Sequence, residues 1–215
     1  MIAIVNYGSG NIHAIANIYG RLNVPFMIAS TPDEIAIAKR IILPGVGAFD
    51  QAMHELVRSG MREALDEAVL VRRRPVLGIC VGMQLLASAS EEGNAAGLGW
   101  IDGTVRRFND TSASRKAPVP HMGWNTVAPV RSDPLFADVD LRPGYYFLHS
   151  YYFSCNEDSD SLARTEYGES FTSVVSRENV YGVQFHPEKS HGAGIQLLRN
   201  FAGMGRESAS AVRAS

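Results

Sequence analysis

Cys80 ends an apolar run at a Gly-x-Cys-x-Gly corner in Pro-Val-Leu-Gly-Ile-Cys-Val-Gly-Met-Gln-Leu-Leu (residues 75–86), and a helical pattern begins at once. Small residues two before and two after a nucleophile permit a sharp strand-to-helix turn, and the first N–H groups of the helix favour thiolate over thiol. The spacing points to nucleophilic chemistry, although a lone Cys in an apolar run is ordinarily core. A base is available further on, where the strand-like Tyr-Gly-Val-Gln-Phe runs into His186-Pro187-Glu188. A histidine at a strand end with an acid two residues later can act as base and orienter, with Pro187 stiffening the link. Two blander readings stand beside it: a hydrogen-bonded structural His, and a metal set of His186, Glu188 and His191. A proline between His and Glu does not match zinc-ligand spacings. Pro44-Gly45-Val46-Gly47 ends a third strand; it is either an ordinary turn or, with glycines freeing a peptide N–H to face a ligand, an oxyanion donor.

These residues need a scaffold that brings three strand ends together. Residues 1–5, 26–29, 40–43 and 76–79 read as short continuous apolar strands. Between them lie helical patterns, including Ile12, Ile15, Ala16, Tyr19 and Leu22 on one face and a Thr31-Pro32-Asp33-Glu34 capping sequence. A further helix carries Phe49, Met53, Leu56 and Val57, and another runs to about Arg72. Continuous strands alternating with helices predict a mostly parallel sheet covered on both faces, with the three motifs at its carboxyl edge. After Gly97 the pattern changes to strands over 100–108, 124–130, 145–153, 171–176 and 179–185, an antiparallel extension of the same sheet. A closing helix covers 195–201, and residues 204–215 read as a mobile tail after a single domain over 1–203.

The 215 residues suffice for one sizeable core, and 46% apolar with 20% charged residues is ordinary for a folded soluble chain. A net charge of −2 gives no electrostatic reason to expect nucleic acid or membrane as partner. Two unpaired cysteines, Cys80 and Cys155, and an N-terminus without a basic region and long apolar core predict a reducing cytoplasm. Cys155 is assigned no role.

Taken together, Gly-Ile-Cys-Val-Gly-Met-Gln and Phe-His-Pro-Glu-Lys-Ser resemble the signatures of the class I (triad) glutamine amidotransferases over nearly the whole chain. That resemblance implies a flavodoxin-like α/β fold, a Cys80–His186–Glu188 triad acting on L-glutamine without cofactor or metal, and an oxyanion hole at Gly47 and Val81. Val81 stands where the family usually has Leu, but the role belongs to its backbone N–H. By position, Gln84, Glu92, Ser150 and Tyr151 correspond to glutamine-binding residues; without the resemblance, Gln84 and Glu92 read as solvated helix positions. The runs Tyr-Gly-Ser-Gly-Asn (7–11), Pro-His-Met-Gly-Trp-Asn (120–125) and Tyr-Phe-Leu-His-Ser-Tyr (146–151) are similar to one branch, the glutaminase halves of two-chain synthases of histidine biosynthesis. In that branch Asn11, Trp124, Tyr146, His149 and Lys189 correspond to residues near the partner surface and ammonia exit.

The implied partner is a (β/α)₈ cyclase in a heterodimer, because ammonia released into water mostly protonates and the glutaminase fold consumes the chain. A glycine-bearing loop at Val46 and Gly47 is a natural switch for coupling hydrolysis to that partner. Three alternatives stay open: a paralogue feeding a sugar-modifying synthase, a catalytically silent regulatory chain of the same fold, and a Cys hydrolase or glyoxalase-like protein of related topology.

Overall fold

A computed structural model of the chain describes residues 1–108 and 117–205; the predicted tail, apart from its first two residues, lies outside them. The parallel half is built from β1 (Ile2–Val5), α1 (Ile12–Arg21), β2 (Phe26–Ala29), α2 (Pro32–Ile37), β3 (Arg40–Gly45), α3 (Phe49–Arg58), α4 (Arg62–Asp66) and β4 (Val76–Cys80). Every residue of β1, β3 and β4 is buried, as continuous apolar strands covered on both faces must be. The Thr31 hydroxyl accepts the Glu34 N–H and the Glu34 carboxylate accepts the Thr31 N–H, the reciprocal cap read from the sequence. After α4 the helix continues as a π-helical turn, Glu67–Val71.

One turn, α5 (Val81–Gln84), follows β4. This shortens the helix expected after Cys80: four residues carry no appreciable macrodipole, so the thiol faces a few first-turn N–H groups rather than a helix. The strand-rich half contains β5 (Ala89–Ser90), β6 (Gly103–Arg107), β7 (His121–Asn125), β8 (Ala128–Pro129), β9 (Tyr145–His149), β10 (Tyr151–Cys155), β11 (Ser161–Tyr167), β12 (Glu169–Arg177) and β13 (Val180–Val183), closed by α6 (His191–Gly203).

The main sheet runs β2-β1-β3-β4-β13-β12-β10-β6-β5, parallel from β2 to β13 and mainly antiparallel beyond, with β11 against β12 and β8. Strands β7 and β9 form a separate two-stranded ladder. The strand expected over 145–153 therefore breaks at Ser150 into pieces belonging to different sheets, and the one expected over 124–130 breaks at Thr126, whose N–H bonds the Asn125 side chain. Strand β11 has no counterpart in the sequence reading. Register shifts on either side of Ala163 bury Leu162 and Ala163 consecutively, which erases the two-residue alternation that marks a strand. Among the described residues no helix is long and apolar enough to cross a membrane.

Parallel register sets the functional edge. Gly45 pairs with Cys80 across β3 and β4, and Val183 pairs with Ile79 across β13 and β4, so Gln184 comes level with Cys80 and His186 lies just beyond. The strands approach closely here because three glycines meet: a Cβ on Gly45 would lie 2.5 Å from the Gly82 nitrogen, and one on Gly78 2.5 Å from the Gly82 oxygen. A Cβ on Gly82 would clash outright with the Leu43 carbonyl oxygen. Gly82→Ala is expected to destabilise the fold by ~3 kcal/mol, the upper part of the overpacking range. Gly192→Ala, whose Cβ meets nothing within 4 Å, is expected to change stability by less than about 1 kcal/mol. Urea unfolding of the two variants checks the contrast, and equal midpoints would refute it.

Candidate active site

Cys80 occupies φ 56°, ψ −114°, a left-handed conformation that costs a non-glycine residue roughly 1–3 kcal/mol. The surrounding glycine contacts hold it there, and the side chain stays almost buried at the floor of a cavity of about 280 Å³. That volume is at the small end for ligand sites and suits a metabolite of amino-acid size. His186 and the predicted oxyanion positions Gly47 and Val81 line the same cavity, as do Gln84, Glu92, Ser150 and Tyr151. A larger open depression of about 730 Å³, walled by Lys39, Arg72, Arg73 and Arg74, lies where β3, β4 and β13 begin, at the other edge of the sheet.

His186 is held from both sides. Its backbone N–H donates to the Tyr146 carbonyl at 2.8 Å, and its carbonyl accepts the Ser190 hydroxyl at 2.6 Å; that hydroxyl in turn accepts the Tyr146 N–H. The 3₁₀ turn Pro187–Lys189 then carries Glu188 back under the ring, with Oε1 2.9 Å from His186 Nδ1 and both side chains buried. With Nδ1–H donating to a carboxylate, Nε2 is the nitrogen left for the Cys80 sulfur, which lines the same cavity. Burial opposes a charge on His186, but its bonds to Cys80 and Glu188, and their charges, outweigh it and push the imidazole up to about 9. The three candidate triad members therefore come together, with the imidazole bonded to Glu188 and lining the same cavity as Cys80. The metal alternative does not: the His191 ring stacks on Trp124 at 5.1 Å instead of converging with His186 and Glu188.

The loop opposite is clamped by residues the sequence reading did not single out. Tyr7 donates its hydroxyl to the Pro44 carbonyl at 2.7 Å, and the Ser9 hydroxyl accepts the Val46 N–H at 2.9 Å while donating to the Val46 carbonyl at 3.0 Å. Gly47 is exposed, with φ +85° and nothing near its Cβ position. Gln84 is buried, not solvated: its side-chain amide donates to the Tyr151 carbonyl at 3.0 Å and to Gln184 Oε1 at 3.1 Å. Glu92 is half-buried and accepts the Phe49 N–H at the start of α3 through Oε2, at 2.8 Å. Asp50 in that first turn accepts the N–H groups of Asn94 and Ala95, which lower its carboxyl below the usual range. The cavity wall and α3 thus brace each other.

His149 Nδ1 lies 2.8 Å from the Tyr151 carbonyl and its Nε2 2.9 Å from His121 Nδ1. Burial lowers His149 to about 3, and the proximity of His121 and His186 acts in the same direction, so the ring is neutral at physiological pH. At the mouth, Trp124 is 47% exposed and meets Tyr146 edge-on, and Lys189 Nζ lies 5.5 Å from the Tyr146 ring centre. Asn11, the position before α1, is exposed and outside the cavity wall.

Because the folded imidazole titrates above the ordinary 6.5, its pairing adds stability that is complete below about pH 6.5 and lost as pH rises through about 9. Nitrogen-15 NMR is expected to find the His186 midpoint near 9, and lower in Cys80→Ala, where burial acts with one partner fewer. A midpoint unmoved by that substitution would remove the thiol as a cause.

The Glutamine amidotransferase class-I family model matches residues 3–203. The imidazole glycerol phosphate synthase subunit HisH of Bdellovibrio bacteriovorus is 54% identical over 202 residues, covering 94% of this chain and 99% of that protein. The protein of the same name from Leptospira interrogans is 48% identical, covering 95% and 100%. Among solved structures, a glutamine amidotransferase from Thermotoga maritima superposes with a TM-score of 0.59 at 19% identity, covering 87% of this chain and 75% of that one. PurLQS from Thermotoga maritima superposes at 0.65 and 19% identity, covering 94% and 96%; at such identities the likeness is one of fold. Sequence kinship over nearly the full length and a shared architecture agree: the chain belongs to the class-I glutamine amidotransferase family and, within it, to the HisH group.

Proposed function

We propose that the chain is the glutaminase half of an imidazole glycerol phosphate synthase, with residues 1–203 acting as one domain that releases ammonia from L-glutamine for a (β/α)₈ cyclase. The observation that carries this reading is the Cys80–His186–Glu188 line across one small cavity. Cys80 thiolate attacks the carboxamide carbon and the carbonyl electron pair moves onto oxygen, toward the N–H of Val81 and one from the 44–47 loop. Protonated His186 gives its proton to the leaving nitrogen, the C–N bond breaks, and ammonia departs from an acyl thioester. Water then attacks the thioester while His186 takes its proton; the C–S bond breaks and glutamate leaves. Glu188 keeps the imidazole in one tautomer and offsets its charge. Glu92 supplies negative charge to the end of the cavity that receives the amino-acid head group, and Gln84 braces the backbone at Tyr151.

The partner is the further part of the proposal. Exposed Val46, Met122, Trp124 and Leu148, with Tyr146 and Lys189 beside them, give the cavity an apolar and aromatic surround that an uncovered enzyme would leave in water. Two free thiols fit a reducing cytoplasm. Regulation fits the Ser9 clamp. While the Val46 N–H is held by Ser9, the oxyanion hole lacks that donor, and the unencumbered Gly47 is where the peptide can turn.

Cys80→Ser is expected to lower glutamine-dependent synthesis at least ~10³-fold while free ammonia still supports the reaction of the partnered complex; glutamine use that survives the substitution refutes the nucleophile. Glutamine hydrolysis by the isolated chain is expected to rise on the order of 10²-fold with partner and acceptor nucleotide present, the worth of one oxyanion donor. Equal rates would eliminate the switch.

A further inference from the structure

Gln184 is fully buried between Val183 and Phe185, and the triad makes no use of it. A fully buried polar side chain just past the apolar strand β13 needs partners, and Gln184 has two: Gln84, and the Cys80 sulfur, 3.9 Å from its Nε2. Register brings it there, level with Cys80 on the neighbouring parallel strand. The orientation of its amide is dictated from outside. The Tyr151 carbonyl can only accept, and it takes one bond from His149 Nδ1 and another from Gln84 Nε2. Gln84 is thereby committed to presenting its NH₂ group, whose second N–H meets Gln184 Oε1. With its oxygen engaged, Gln184 turns its own NH₂ to the sulfur. Reversing that amide would set two NH₂ groups face to face and an oxygen against the thiolate, leaving buried groups unsatisfied.

We propose that Gln184 is a positioning residue of the glutaminase reaction, its side-chain N–H held toward Cys80 by the Tyr151–Gln84–Gln184 relay so that it orients the sulfur and stabilises the thiolate. The inference rests on the glutaminase reading for its catalytic consequence, but not for its effect on the thiol itself. At 3.9 Å the contact is long for a neutral thiol. It acts as a dipole on a charge in a site where little water screens it, and it complements His186, which lies beyond the end of β13. Hydrogen bonding to the charged form favours that form, so removing the donor must cost thiolate.

The test follows iodoacetamide alkylation of Cys80 against pH in the full chain, with the modified peptide identified by mass spectrometry to separate it from Cys155. Gln184→Leu is expected to move the alkylation midpoint upward by roughly half a unit to one unit, slowing alkylation at pH 7 about threefold to tenfold. The partnered complex is expected to lose kcat by a similar factor at unchanged KM. Gln184→Glu keeps the shape and the acceptor for Gln84 but sets a carboxyl oxygen against sulfur, so it is expected to shift the midpoint further than Leu. It also serves if the Leu variant does not fold. Midpoints in both folded variants within 0.2 of a unit, roughly the resolution of such a titration, of the parent would overturn the relay, as would a shift in the Leu variant exceeding that in the Glu variant. If the parent alkylates as expected yet the partnered complex does not hydrolyse glutamine, the glutaminase reading fails while the relay stands.

Discussion

The close approach of three backbones beneath Cys80 is the constraint on which the rest depends. Gly45, Gly78 and Gly82 remove the side chains that would hold β3, β4 and the turn after Cys80 apart, and the space leaves no room for a Cβ. That packing forces the strained backbone at Cys80, which a free chain would relax, and so converts stability stored in the sheet into the orientation of one sulfur. The same closeness fixes what stands beside it: the 44–47 loop on one side, and the strand leading to Gln184 and His186 on the other.

Around that frame the polar groups are paired in a consistent direction. Carboxylate, imidazole and sulfur run in one line, while backbone carbonyl, two glutamine amides and sulfur run in another, and both end on the same atom. Two histidines in one cavity therefore hold opposite protonation states near neutral pH: His186 is charged by its acidic neighbours, and His149 is neutral because it is buried and faces other imidazoles.

Much of this was legible in the residues because the nucleophile and base come from contiguous motifs at strand ends, and strand ends are marked by Gly and Pro. The alternating half of the fold was readable for the same reason: buried parallel strands are apolar without interruption. What escaped reading depends on contacts between distant segments. The burial of Gln84 follows from β10 and β13 closing over it, and nothing local distinguishes it from a solvated helix position. The one-turn length of α5 is likewise not marked locally, and Gly82 within it lies against Leu43, some forty residues away. Strand β11 was hidden by its bulges, and the break at Ser150 by a run of aromatics that continues unaltered through a change of sheet. Gln184 left one local trace, a lone amide within an apolar run.

The chemistry and the exposed aromatic face belong to different ladders. Cys80 is rooted in the main sheet, whereas Trp124 and Tyr146 ride on the small β7–β9 ladder. The small ladder grips the base through its backbone, by the His186 N–H on the Tyr146 carbonyl and by Ser190 between the two chain segments. A load placed on the aromatic face thus reaches the backbone of His186 directly, while Cys80 is held within the main sheet. The His186 segment is thus tied to both ladders, to the main sheet through β13 and to the small one through the Tyr146 carbonyl.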